Sequence, residues 1–217
     1  MKKTNVYSCL SFIAAIATIL ISLYFYPQLP PKVPLHWNIY GTADHYGSKS
    51  MTLLLACLPL VIWLLMRASP KFDPRKESYR KHAKPYSIFK FVIVTFLSVS
   101  AVTTILSASG YNIDMAVIIK LAIALLFITL GNFMGQLRTN FFIGIRTPWT
   151  LTSEISWRKT HKAGGYVFII TGLSFLLSLW LKGASSFLVP LIVLITGVIF
   201  TFAYSYVVYR KNETSGK

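Results

Sequence analysis

The feature that most constrains this chain is a series of long apolar runs, separated by segments that carry nearly all of its charge. Six runs fall near residues 5–26, 51–67, 88–109, 113–133, 166–182 and 187–209. Each has, or nearly has, the roughly 17 to 25 residues that cross a hydrocarbon core. With 54% hydrophobic and 13% charged residues, the chain is too apolar for an ordinary soluble domain. A net charge of +16 in a soluble protein would point to nucleic acid. Here the charges lie between apolar runs rather than on one face, so no direct nucleic-acid binding is expected. The fold expected is an all-α membrane protein with six transmembrane helices. In the second run the uninterrupted stretch, residues 51–66, is short and contains Pro59, so a tilted or re-entrant helix is the rival there.

Positive residues are retained on the cytoplasmic side of a membrane, which orients the six runs. Of the 22 Lys and Arg, those at positions 2 and 3, within 67–90, within 138–162 and from 210 onward alternate onto one side. Only Lys32, Lys49 and Lys182 fall on the other, with Lys120 inside the fourth run. Both termini are therefore expected in the cytoplasm. The start, Met1-Lys2-Lys3 before a long apolar stretch with no A-x-A-like site, reads as an uncleaved anchor. Cys9 and Cys57 lie in separate runs and read as buried free thiols, not as a disulfide or metal framework. Residues 67–90 read as a basic topogenic loop on anionic headgroups, and the short connections near 110–112 and 183–186 as turns of antiparallel helix pairs. No internal repeat of the transporter kind is evident. The expected division is a two-span unit over 1–67 and a four-span unit over 68–217.

Two connections are both long and chemically unusual, and function is sought there. The external segment, residues 27–50, is kept extended by Pro27, Pro30, Pro31 and Pro34, and Gly41 and Gly47 permit turns. It reads as a lid or receptor surface, with Trp37 as anchor and His36, Asp44 and Lys49 as polar determinants, or equally as a structural plug on the helix ends. His36, Asp44 and His45 lack a recognised zinc spacing, and no metal is expected.

In the cytoplasmic segment, residues 134–165, Pro148 bars a helix interior through Arg146-Thr147-Pro148-Trp149-Thr150. Thr152 or Ser153 then caps a helix with Glu154 in its first turn, running to about Ala163, where Gly164-Gly165 end or hinge it before the fifth span. This reads as an interfacial helix, with Trp149, Ile155 and Trp157 in the membrane interface. Glu154, Trp157 and His161 share a face, favouring an intrahelical pair on a wet surface over a proton-handling pair. Arg146 offers a rigid fork to a carboxylate such as Glu154, a lipid phosphate or a protein partner. Lys120 is an intramembrane charge and so a functional suspect, although it lies near enough to the outer face to snorkel.

The run NFFIGIRTPWTLTSEISWRKTHKAGG, beginning at Asn140, resembles the signature of the SdpI/YfhL family of bacterial multi-pass membrane proteins. The external run LPPKVPLHWNIYGTADHYGSK, beginning at Leu29, is similar to the N-terminal domain that often accompanies it. The resemblance implies a protein of the bacterial cell membrane that gives immunity to a secreted, membrane-disrupting toxin peptide. It also implies a signalling role in which a cytoplasmic repressor is held at the membrane. Under the resemblance, Arg146, Thr147, Pro148, Trp149, Thr150, Glu154 and Trp157 match the cytoplasmic motif, with His161 on the same helix. His36, Trp37, Asn38, Gly41, Asp44 and Lys49 match the external one. The partners expected are the toxin peptide, a repressor and membrane lipids, and no cofactor is expected. The alternatives are a signal transducer without an immunity role, and an intramembrane enzyme or small-solute transporter. The enzyme reading is weakened because H-E-x-x-H, P-loop and nucleophile-elbow motifs are all missing.

Overall fold

The computed structural model describes residues 6–215. Lys2, Lys3 and Lys217, used above for orientation, and Asn5 at the start of the first run lie outside the described residues. Six helices are long and apolar enough to cross a membrane. They are α1 (Val6–Phe25, prolonged by a 3-10 turn Tyr26–Gln28), α2 (Ser50–Phe72), α4 (Ala83–Ala108), α5 (Met115–Met134), α7 (Glu154–Leu177) and α8 (Ser185–Ser215). Two short helices, α3 (Ser78–Lys81) and α6 (Pro148–Thr152), lie in the connections. The second span is a full helix of 23 residues with Pro59 and Pro70 inside it, so the short re-entrant alternative does not hold. Helices within a bundle tolerate proline because their neighbours re-satisfy the freed backbone groups.

The segment after α1 is more ordered than its prolines suggest. Strands β1 (Lys32–Trp37) and β2 (Ala43–Ser48) pair antiparallel, with Lys32 opposite Ser48 and Trp37 opposite Ala43, so the chain is not purely α-helical. The turn is made by Asn38, whose Oδ1 accepts the N–H groups of Tyr40 and Thr42 at 2.9 and 3.1 Å. Gly41 closes it at φ 78°, a conformation that favours glycine. Val33 and Leu29 are buried beneath the hairpin.

Helices α1, α2 and α4 pack on one another, α7 packs between α5 and α8, and α4 touches α5 to join the two sets. Alternation of the six helices puts the hairpin and residues 109–114 at one end of the bundle, and the 135–147 loop with α3 and α6 at the other. On α1 the buried face is the small polar stripe Ser11, Ala15, Thr18 and Ser22. The α5–α7 seam is closer still: a Cβ on Gly131 would lie 2.6 Å from the Gly165 carbonyl oxygen, and one on Gly172 would lie 2.8 Å from that of Ala124. Small residues admit such backbone approach in membrane bundles.

That seam corrects two expectations. Gly164-Gly165 neither end nor hinge a helix, because α7 runs unbroken through them, and the separate interfacial helix expected up to Ala163 is its first turns. Trp157 is not in the membrane interface but wholly inside the protein, packed with Phe89, Met134 and Leu137. The two thiols also differ from expectation: Cys9 and Cys57 are exposed on the outer faces of α1 and α2.

Candidate functional site

At the motif end, the loop between α5 and α7 is organised by Asn140, which is fully buried. Its Oδ1 accepts the N–H groups of Phe142 and Ile143 at 2.9 and 2.8 Å, and its Nδ2 donates to the carbonyls of Arg138 and Ile143 at 2.9 and 3.1 Å. Asp73, just after α2, ties this loop to the α2–α4 connection. It accepts from the Phe141 N–H at 2.9 Å, the Tyr79 hydroxyl at 2.8 Å and the Arg75 N–H at 2.7 Å. Burial and the bond to Asp73 raise the Tyr79 pKa well above its usual value, so the phenol stays a donor. His82 is buried beside it and accepts the Arg138 N–H on Nδ1 at 3.2 Å. Burial, and secondarily the Arg138 charge, push its pKa down to about 4.

The motif residues complete the fastening. Thr147 and Thr150 form a reciprocal capping box at the start of α6, with Pro148 in its first turn, and the Thr147 hydroxyl also donates to Ser205 Oγ at 3.0 Å. Ser153 caps α7, as expected, by accepting the Ser156 N–H at 3.2 Å. Trp149 packs on Phe202 and Tyr206 of α8, with ring centroids 5.2 and 5.0 Å away. Trp157 donates from Nε1 to the Leu137 carbonyl at 2.9 Å and stacks on His161 at 3.9 Å.

His161 is therefore not a wet-surface partner of Glu154. It is wholly buried, whereas Glu154 is exposed. His161 Nε2 accepts the Ile145 N–H at 3.0 Å, which requires that nitrogen unprotonated, and Nδ1 lies 2.9 Å from the Trp157 carbonyl, to which it donates. Both ring nitrogens are thus committed to backbone groups. Arg146 does not reach Glu154 either: its guanidinium donates to the Phe141 carbonyl, while the side chain stays exposed.

Four members of this network, Asp73, Tyr79, His82 and Asn140, were not singled out from sequence. Only Asn140 carried a local signal, as an asparagine opening a glycine-containing loop. Lys90 was missed too. It was assigned to a loop, but it lies within α4, 6% exposed, donating to Ser8 Oγ at 2.8 Å with its ammonium 5.2 Å from the Trp63 ring centroid.

At the hairpin end, the candidate residues divide into a frame and a pocket. His36 Nδ1 and Asp44 Oδ1 are paired across the strands at 2.6 Å, and Lys49 lies 4.8 Å from the Tyr26 ring centroid. Asn38 and Gly41 build the turn and seat it on α5, where a Cβ on Gly41 would lie 3.1 Å from that of Ala116. Trp37 and Lys120, distant in sequence, line one cavity of about 120 Å³ with Met115, Phe175 and Phe187. Trp37 also borders a neighbouring apolar cavity of about 240 Å³ between α2, α4 and α5. Lys120 is half-buried and makes no ion pair among the described residues. Asp114 is occupied in capping α5, accepting the Val117 N–H at 3.0 Å.

The segment holding the motif loop, α6, α7 and much of α8, residues 136–205, matches the SdpI/YfhL protein family model. In that segment the chain is similar to the SdpI/YfhL family. Residues 13–62, from α1 through the hairpin into α2, match a domain of unknown function (DUF1648). The chain is 25% identical over 217 residues to the immunity protein SdpI of Bacillus subtilis (strain 168), covering 98% of this chain and 99% of that one. No solved structure matches the chain. With this likeness and its six membrane-length apolar helices, the chain is a multi-pass protein of the bacterial membrane.

Proposed function

We propose that this protein gives its cell immunity to a secreted, membrane-active toxin peptide, which it binds at the hairpin end with that end facing outward. The observation that carries this reading is the cavity where Trp37 of the hairpin meets Lys120 of α5. An apolar wall with one unpaired cation at its side suits an apolar peptide segment bearing a carboxylate, since a half-desolvated ammonium gains a charge-assisted bond there. The immunity function of the Bacillus subtilis relative, aligned over nearly its whole length, supports the same reading. The basic loops at the motif end support placing that end in the cytoplasm. The function needs no bond-making step, because sequestering the peptide suffices and His161 is already committed to backbone groups.

The test is to express the chain in cells sensitive to secreted membrane-disrupting peptides and to measure killing. The chain should protect, and Lys120→Gln or Trp37→Ala, at unchanged membrane level, should lower the tolerated dose about tenfold, the usual scale for one lost charge-assisted bond or anchor. Failure of the unaltered chain to protect against any such peptide refutes immunity. Full protection by both variants refutes the cavity as the site.

Recruitment of a cytoplasmic repressor is the second part of the proposal, supported by the exposure of Phe141, Phe142 and Arg146 on one loop at the motif end. Signalling requires two states with different affinity for the regulator. Capture of the regulator on membranes only in the presence of peptide is the expected result, and capture regardless of peptide would remove the switch.

A further inference from the structure

A cleft at the motif end lies away from the Trp37–Lys120 cavity. It has a volume of about 740 Å³, and its charged lining is Lys81, Arg138, Arg158, Lys159 and Lys162, with no carboxylate. None of these five cations makes an ion pair among the described residues, where the pairs are His36–Asp44 and Arg80–Glu77. They come from three separate segments: α3, the loop just after α5, and the first turns of α7. Their convergence is therefore a product of the fold rather than of one basic run. Five like charges around one hollow repel each other, and an anion seated there relieves that repulsion.

The position of the cleft indicates what kind of anion. Its remaining lining includes Pro85 in the first turn of α4 and Gly135 just past α5, so it opens where three spans leave the apolar layer. The fifth candidate span, Glu154–Trp180, has 27 residues. At about 1.5 Å per residue it is roughly 40 Å long, about 10 Å more than a hydrocarbon core. With its far end at the opposite interface, its first turns, bearing Arg158, Lys159 and Lys162, stand at headgroup depth. Ile155, 51% exposed, adds apolar surface to the same cleft. A soluble phosphate would gain nothing from that surface, whereas the glycerol and first methylenes of a lipid would. Basic pockets between membrane helices suit multiply charged headgroups.

We infer that this cleft is a specific site for the phosphate headgroup of an anionic phospholipid, with a headgroup of two phosphodiesters, as in cardiolipin, the best fit to its size and charge. The site is separate from the proposed peptide site, and it stands whether or not the immunity reading does.

The experiment uses the purified full chain in phosphatidylcholine nanodiscs, with or without cardiolipin, read by retained lipid in native mass spectrometry and by thermal unfolding. Cardiolipin should bind and raise the unfolding temperature. Arg158→Gln, Lys159→Gln and Lys162→Gln should each weaken binding about fivefold, as expected for one cation near a headgroup. Lys76→Gln and Lys84→Gln, at the same end but outside the cleft, should leave binding unchanged. The cleft variants should unfold like the parent in phosphatidylcholine alone, which separates lost binding from lost folding. Equal loss in cleft and control variants would reduce the effect to diffuse surface attraction and overturn the site. Displacement of cardiolipin by an equal concentration of inorganic phosphate would assign the cleft to free phosphate instead. Undiminished lipid binding in the cleft variants would likewise overturn the proposal, leaving the cations to an acidic protein partner.

Discussion

Replacing Gly144 by alanine tests whether the motif loop is held by its contact with His161. Gly144 has φ 107°, and a Cβ built there would lie 2.3 Å from His161 Nε2 and 3.2 Å from its Cδ2. The imidazole has no room to retreat, being wholly buried, stacked on Trp157 at 3.9 Å and bonded through Nδ1 to the Trp157 carbonyl. Gly144→Ala therefore incurs backbone strain of about 1–2 kcal/mol and loses the Ile145 N–H bond to Nε2, leaving a buried acceptor at about 1–3 kcal/mol. The expected destabilisation is about 2–5 kcal/mol. His161→Ala alone leaves a cavity and an orphaned N–H, at a similar cost of about 2–5 kcal/mol. In the double variant the steric conflict is gone and the bond is lost only once. Its destabilisation should fall short of the sum of the singles by about 1–3 kcal/mol, as for residues in direct contact. Equilibrium unfolding of the full chain in micelles, followed by tryptophan fluorescence, gives the three values. Additivity within about 0.5 kcal/mol would refute the reasoning, as would a Gly144→Ala variant as stable as the parent.

Two further outcomes follow from the same end of the bundle. The pKa of His82 falls from 6.5 to about 4 on folding, so the unfolded chain takes up its proton first as pH drops. The stability that neutral His82 supports is present above pH 6.5 and is lost progressively down to about pH 4, by an amount of order 3 kcal/mol. Unfolding measured across that range should show a shallower pH dependence in His82→Gln, and an unchanged slope would refute the assignment. Asn140→Ala strips partners from two N–H and two carbonyl groups of the loop and should cost about 2–4 kcal/mol. Limited proteolysis should then cut near Phe141 and Phe142, and an unaltered cleavage pattern with unaltered stability would show that the loop is held by other contacts.

What was legible in the sequence was whatever one segment decides by itself. Six apolar runs require six helices because lipid leaves the backbone no other partner, and all six formed. Ser153 capped α7 because a cap needs only its own helix. The misreadings share one cause, a partner elsewhere in the chain. Lys90 looked like a loop cation, since nothing near it in sequence shows Ser8, 82 residues away, waiting on α1. The hairpin was read as extended chain with turns permitted at Gly41 and Gly47, and the strand pairing was missed because Pro34 lies within β1 and the deciding signal is the Asn38–Gly41 turn. His161 was placed on a face with Glu154 and Trp157. That the loop folds back over Trp157 and His161 while Glu154 stays exposed follows from Asn140, Asp73 and Tyr79 acting together, and no spacing rule relates positions 73 and 140. Gly164-Gly165 make the same point in its sharpest form. Two glycines after a basic turn satisfy every local criterion for a helix end, yet Gly165 meets the Gly131 backbone across the helix seam, as Gly172 meets that of Ala124. A glycine pair in a membrane segment is therefore better read as a seam in search of a neighbouring glycine than as a stop, whenever the flanking residues would continue the helix.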